Sequence, residues 1–269
     1  MYLADYHTHS TASPDGHMTV SELAASAIKH GLSEVCVTDH VDTIVWGTQE
    51  PRDFFEWSEL LEQFQTAKET YGDRLTLRLG AELGEAYMAF DRAEKLLHDA
   101  PELDFVIGSV HMAGEQFENF DLYYIEKQAE TYYHEVIDSY LDTALSLAKW
   151  GRFSVLGHLT LPLRYINDLP DTHMTFDAHL DRCEALFRVL IDKGLGIECN
   201  TNRGGTPLPD GKLLRLYREM GGEIITLGSD AHSVPHVGCA IREGQELLRQ
   251  CGFRYFTTFA GGKPQFMPL

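Results

Sequence analysis

Residues 34–40 read EVCVTDH, a four-residue run suited to a buried strand followed by three polar residues, Thr38, Asp39 and His40. A short β-branched run of this kind is typical of a strand covered on both faces of a parallel sheet. The signature recurs along the chain. YLADYH (2–7) runs into His7-Thr8-His9, LTLRLGAE (75–82) ends in Gly80-Ala81-Glu82, and FVIGSVH (105–111) ends in Ser109-Val110-His111. FSVLGH (153–158) ends in Gly157-His158, GIECN (196–200) ends in Glu198-Cys199-Asn200 and continues into Thr201-Asn202-Arg203, and EIITLGSD (223–230) leads into Asp230-Ala231-His232.

Helical periodicity fills the gaps. Val20, Leu23, Ala24, Ala27 and Ile28 share a face, and Thr19 with Glu22 has the spacing of a capping box. Leu180, Cys183, Leu186, Phe187, Leu190 and Ile191 form a second face, and Leu213, Leu214, Leu216, Tyr217 and Met220 a looser third. Alternating strands and helices imply right-handed crossovers and a parallel sheet. Seven repeats point to an α/β chain folded as a closed or nearly closed barrel, with a doubly wound open sheet as the competing arrangement. The last apolar stretch, FRYFTTF (253–259), fits an extra edge strand or part of the closure. With no internal repeat, low-complexity stretch or long linker, residues 1–269 read as a single domain.

The 41 acidic and 22 basic residues leave a formal net charge of −19, which disfavours nucleic-acid and anionic-membrane partners. The N-terminal MYLADYHTHS lacks the basic and apolar regions of a signal peptide, and no apolar run reaches bilayer length. Five widely spaced cysteines without a CxxC pair fit reduced thiols and a cytoplasmic location. The chain also lacks GxxxxGK[ST], GxSxG and HExxH, so nucleotide-loop, serine-hydrolase and zincin chemistries find no support.

In a parallel barrel the C-terminal strand ends converge on one rim, where active sites lie. All seven candidate strands deliver polar or metal-type residues there. His7 and His9, like Asp230 and His232, are two residues apart, and on an extended strand such side chains point the same way. Imidazole and carboxylate donors without clustered cysteine suit Zn, Fe or Mn.

On His7-Thr8-His9, Pro14-Asp15-Gly16, Thr38-Asp39-His40, Gly80-Ala81-Glu82, Gly108-Ser109-Val110-His111, Gly157-His158 and Gly228-Ser229-Asp230-Ala231-His232, the chain resembles the PHP (polymerase and histidinol phosphatase) superfamily, and within it the stand-alone histidinol-phosphate phosphatases. The resemblance implies a distorted (β/α)7 TIM-like barrel holding three divalent ions. It implies a first site of His7, His9, Glu82 and Asp230, a second of Glu82, His111 and His158 with Glu82 bridging, and a third of Asp15, His40 and His232. The implied chemistry is hydrolysis of a small phosphate ester, L-histidinol phosphate, by a hydroxide bridging the ions and attacking phosphorus. Another small ester, such as a nucleotide or sugar phosphate, is the alternative.

Three divalent ions against three carboxylate ligands leave a locally positive cleft suited to a phosphate dianion. Arg164 and Arg203 follow the fifth and sixth strands, and their forked guanidinium groups suit phosphate oxygens, stabilising charge in the transition state. The segments after His40 and His111 are long enough for lids. They offer Asp42, Trp46, Glu115, Phe117, Glu118 and Asp121 to the cationic end of such a substrate. Asp39 and Asp42 are alternatively orienters of ligand histidines. An amidohydrolase also begins with HxH, but commonly carries a carboxylated lysine at the fourth strand, where this chain has His111. A nuclease calls for a basic track that the net charge argues against, and a non-catalytic module for lost ligands, of which there are none. His17, His30, His98, His134, His173, His179 and His236 match no motif and read as surface or packing residues, and Tyr123, Tyr124, Tyr132 and Tyr133 as a helix face.

Overall fold

A computed structural model describes all 269 residues. Seven strands form one parallel sheet in sequence order: β1 (Ala4–Asp5), β2 (Glu34–Val37), β3 (Thr76–Gly84), β4 (Phe105–Ser109), β5 (Val155–Leu156), β6 (Gly196–Asn200) and β7 (Ile225–Gly228). The sheet returns on itself. Tyr6 N donates to Leu227 O at 2.8 Å, Asp230 N to His7 O at 2.9 Å and His9 N to Ala231 O at 2.8 Å. A barrel so closed leaves no sheet edge and brings the seven strand tips onto one rim. The open doubly wound sheet is excluded by this closure.

Eight helices surround the strands: α1 (Val20–Lys29), α2 (Trp57–Tyr71), α3 (Phe90–His98), α4 (Glu130–Trp150), α5 (Leu161–Ile166), α6 (Leu180–Asp192), α7 (Gly211–Glu219) and α8 (Ile241–Gln250). The capping box of Thr19 and Glu22 forms at the start of α1. Cys183, Leu186, Phe187 and Leu190 supply the buried face of α6. No helix is long and apolar enough to cross a membrane. The five cysteines are free thiols, four of them buried and Cys239 half-buried.

The C-terminal stretch differs from both expectations for it. FRYFTTF contributes β8 (Tyr255–Ala260), which pairs antiparallel with β9 (Lys263–Pro268) as a separate hairpin. The signal for the hairpin is Gly261-Gly262, whose φ values of 55° and 71° suit a two-residue hairpin turn. Pro264 and Pro268 disguise β9 in the sequence, but an edge strand tolerates proline. The hairpin packs against the strand starts, remote from the rim. Thr257 Oγ1 accepts from Ile225 N at 3.1 Å, Asp104 Oδ1 accepts from Gly261 N at 2.8 Å, and the Phe259 ring lies 4.9 Å from that of Phe105. Tyr123 and Tyr124 also depart from the sequence reading: they lie in a short 3₁₀ turn and are exposed, whereas Tyr133 is buried on α4.

One continuous core joins barrel, helices and hairpin. A buried polar junction crosses it. The Tyr6 hydroxyl donates to Glu34 Oε1 at 2.6 Å and accepts from Phe259 N at 2.8 Å, while Tyr2 and Arg78 also hold the Glu34 carboxylate. Tyr6→Phe strips a partner from a buried carboxylate and from a buried amide. It is expected to lower the unfolding free energy by about 1–3 kcal/mol. Urea denaturation checks this, and a midpoint equal to that of the wild type would contradict the anchoring role.

Candidate metal centre

The rim is organised around Glu82, near the end of β3 and 1% exposed. Its Oε2 lies 3.3 Å from His7 Nε2, 3.4 Å from His9 Nε2 and 3.0 Å from His40 Nδ1. Its Oε1 lies 2.9 Å from His158 Nε2 and 3.3 Å from His111 Nε2, and accepts from Ser109 Oγ at 2.6 Å. Asp230 Oδ1 lies 3.8 Å from both His7 Nε2 and His9 Nε2. Beside them Asp15 Oδ2 lies 3.0 Å from His232 Nε2, and Asp15 Oδ1 lies 3.7 Å from His40 Nε2. The nine side chains proposed from sequence as ligands therefore occupy one cluster. The His9 ring stacks on those of His232 and His40 at 4.1 and 4.4 Å.

The donor chemistry fits cations. His7 Nε2, His9 Nε2, His40 Nδ1 and Glu82 Oε2 are buried, converge on one another and form no hydrogen bonds. Buried polar atoms left this way are costly unless something satisfies them. Four three-residue sets drawn from these residues can each hold an ion: His9 with His40 and His232, His7 with His9 and Asp230, His7 with Glu82 and His158, and His40 with Glu82 and His111. Burial would push the Glu82 carboxyl up, but the facing imidazoles of His7 and His40, with hydrogen bonds from His111 and His158, hold it well below the usual carboxylate range. Burial, reinforced by His232 and His40, drives His9 well below its ordinary value and leaves it neutral, the form that binds metal.

An outer layer orients these rings, and most of it was not singled out from the sequence. His7 Nδ1 donates to Glu198 Oε1 at 2.7 Å, and the other Glu198 oxygen accepts from His158 N at 2.8 Å. The contact depends on Gly228, where a Cβ would stand 2.2 Å from Glu198 Oε1 and 2.4 Å from His7 Cβ. His111 Nδ1 donates to Glu85 Oε2 at 3.1 Å. Asp39 accepts from Ser10 and Ser13 and touches no ligand ring directly. Ser13 Oγ, which donates to Asp39 at 2.6 Å, lies 3.0 Å from His9 Nδ1 and relays its influence. Asp42 orients no histidine. Both its oxygens lack partners, and burial pushes its carboxyl up to about 7.

The turn that carries Asp230 is held from β1. Asp5 accepts from Ser229 N at 2.8 Å, Ser229 Oγ at 2.6 Å and Gly238 N at 2.8 Å. Asp230 itself has φ 59°, a left-handed conformation costing about 1–3 kcal/mol in a non-glycine residue and found where function demands it.

Arg164 is drawn into the site. Its Nη2 donates to Asp230 Oδ2 at 2.6 Å and its Nε to Asn202 Oδ1 at 2.8 Å. Arg203 is exposed at the rim, with φ 54° and no side-chain ion pair. Of the lid residues, Trp46 sets its ring edge against His40 at 4.6 Å, and Gln49 Nε2 ties this loop to the next by donating to Asn119 O at 2.8 Å. Phe117 instead packs on Tyr132, and Glu115 and Glu118 are exposed. Asp121 caps Tyr123 N. His17 is exposed, His236 faces Ser233 Oγ, and His134 pairs with His179 at the α4–α6 contact, so none joins the cluster.

A family model described as PHP domain matches residues 5–202. The chain is 28% identical to a histidinol-phosphatase of Lactococcus lactis over 264 residues, 96% of this chain and 95% of that one. It is 30% identical to a probable histidinol-phosphatase of Deinococcus radiodurans over 263 residues, 95% and 96% of the two chains. Its structure resembles that of the Lactococcus lactis histidinol phosphate phosphatase complexed with zinc, L-histidinol and phosphate, with a TM-score of 0.84, 26% identity and 98% of both chains covered.

Replacing Glu198 by Gln keeps the volume but weakens the partner of His7 Nδ1. Retention of divalent ions should fall by about 10–100-fold in competition with a chromophoric chelator. Unchanged retention would contradict the orienting role.

Proposed function

Since this chain belongs to the PHP domain family, we propose that it is a metal-dependent phosphomonoesterase converting L-histidinol phosphate to L-histidinol and inorganic phosphate. The observation that carries this reading is the convergence of unpartnered buried imidazole and carboxylate atoms on Glu82. The substrate follows from likeness, along 98% of both chains, to an enzyme whose structure contains zinc, L-histidinol and phosphate. A cytoplasmic site of action fits the five free thiols.

In this reading three divalent ions, Zn, Fe or Mn, are held by His7, His9, Glu82 and Asp230, by Glu82, His111 and His158, and by Asp15, His40 and His232. Such ions supply Lewis acidity and a water deprotonated near neutral pH. Glu82 would be shared between two of these sites, since its two oxygens face different imidazole sets. Glu198, Glu85 and Ser13 fix His7, His111 and His9 through their Nδ1 atoms, leaving each Nε2 directed inward.

Arg164 spends two of its five N–H groups on Asn202 and Asp230. Tyr165 also lies against the guanidinium, and burial within this fixed frame holds the remaining N–H groups ready for the charge that grows during phosphoryl transfer. Arg203, unpaired at the rim, adds a second cation for the incoming dianion. Trp46 edges onto His40 and bounds the space above the centre, where an imidazole or ammonium group can meet an aromatic face.

Steady-state kinetics on a panel of phosphate monoesters test the substrate. The kcat/KM for L-histidinol phosphate should exceed that for nucleoside and sugar phosphates by about 100-fold or more. Comparable values across the panel would sink the assignment and favour a broader phosphoesterase. Arg164→Ala should reduce kcat/KM by about 100–1,000-fold. A variant that keeps wild-type kinetics would remove Arg164 from the phosphate site.

A further inference from the structure

The sixth strand supplies no proposed metal ligand, yet every second side chain along it is tied into the site. Glu198 accepts from His7 and His158 N, and Asn200 Nδ2 donates to Glu198 Oε2 at 3.1 Å. Asn200 Oδ1 accepts from Asn202 N at 2.8 Å. Asn202 Oδ1 then accepts from Arg164 Nε at 2.8 Å, and its Nδ2 donates to Thr206 O at 3.1 Å. Positions 198, 200 and 202 thus make a hydrogen-bonded ladder from the metal side of the rim to its arginine side.

Asn202 sits where the ladder leaves the strand. It and Arg203 are consecutive non-glycine residues in the left-handed region, at φ 50° and 54°. Asparagine is among the residues that tolerate this conformation best, and strained pairs persist only where the surroundings fix them. Here the surroundings are the backbone bond to Asn200 and the two side-chain bonds of Asn202. Its amide therefore does two things at once: the oxygen fixes the Nε edge of Arg164, and the nitrogen braces the turn that carries Arg203. A guanidinium bound at Nε and at Nη2 cannot swing, so its remaining N–H groups face a constant direction.

We propose that Asn202 is a positioning residue for phosphate binding, setting the orientation of Arg164 through its side-chain oxygen and the presentation of Arg203 through its own backbone conformation. This rests on the reading of Arg164 as a phosphate contact.

The test compares Asn202→Gly, which keeps the left-handed backbone and loses the acceptor, with Asn202→Asp, which keeps the acceptor. The readouts are kcat, KM and inhibition by inorganic phosphate. Asn202→Gly should lower kcat/KM by about 10–100-fold and raise the inhibition constant for phosphate about 10-fold, whereas Asn202→Asp, which keeps the acceptor for Arg164 and loses only the donor to Thr206 O, should lose at least about 3-fold less. Repeating Asn202→Gly in the Arg164→Ala background should add only the smaller part of the loss that runs through the Arg203 turn. Equal losses in the glycine and aspartate variants, or the same loss with and without Arg164, would overturn the proposal, even with Arg164→Ala itself impaired. Wild-type phosphate inhibition in Arg164→Ala would overturn the underlying reading and this one with it.

Discussion

Glu82 is a buried carboxylate that two sets of imidazole nitrogens face without hydrogen-bonding to all of it. Removing a charge from water at such a depth costs several kcal/mol unless paired charges or cations compensate. The rest of the molecule can be understood as the scaffold that makes this arrangement possible. A barrel closed by hydrogen bonds between its first and last strands brings the seven strand ends onto one rim, and side chains at the ends of β1, β2, β4 and β5 meet the Glu82 carboxylate. A continuous apolar core below them contributes the stability that the polar rim does not. The overall charge of −19 does not by itself set substrate choice, because cations held at the rim would dominate the local field there.

Around the rim, rigidity comes from pairing the far side of four of the six rings. Glu198, Glu85 and Ser13 each meet an Nδ1 atom, and His232 Nδ1 meets Asp230 O at 2.9 Å. A ring held at Nδ1 has its orientation fixed and its Nε2 directed inward, where a cation would take the place of a proton. Four of the nine non-glycine residues with positive φ lie in the same region: Asp230, Asn202, Arg203, and Glu85 with φ 53°. The neighbouring hydrogen bonds hold these residues in place, as expected where geometry serves a site at the expense of backbone preference.

The barrel and the cluster were legible because seven apolar runs each end in residues that an apolar run should avoid, and because His7 with His9 and Asp230 with His232 have the two-residue spacing of a shared face. The outer layer was harder to read. Glu198 looked like one more polar strand end, since nothing local says that Gly228 clears its path to His7. Glu85 lies beyond the strand tip, and its left-handed backbone, which has no glycine to announce it, turns it back toward His111. Asp42 and Phe117 were offered to the substrate on composition alone: Asp42 is buried beside Glu85 and His111, and Phe117 packs on Tyr132. The hairpin after α8 was hidden by its prolines, although Gly261-Gly262 was its legible mark.

The central claim is that one rim binds several divalent ions around Glu82. Anomalous-scattering maps from crystals of the purified protein, recorded at the Zn, Fe and Mn absorption edges, test it directly. The account predicts three peaks among the strand tips, two of them flanking the Glu82 carboxylate. An active enzyme with no anomalous density between His7, His111, His158 and His232 would contradict it.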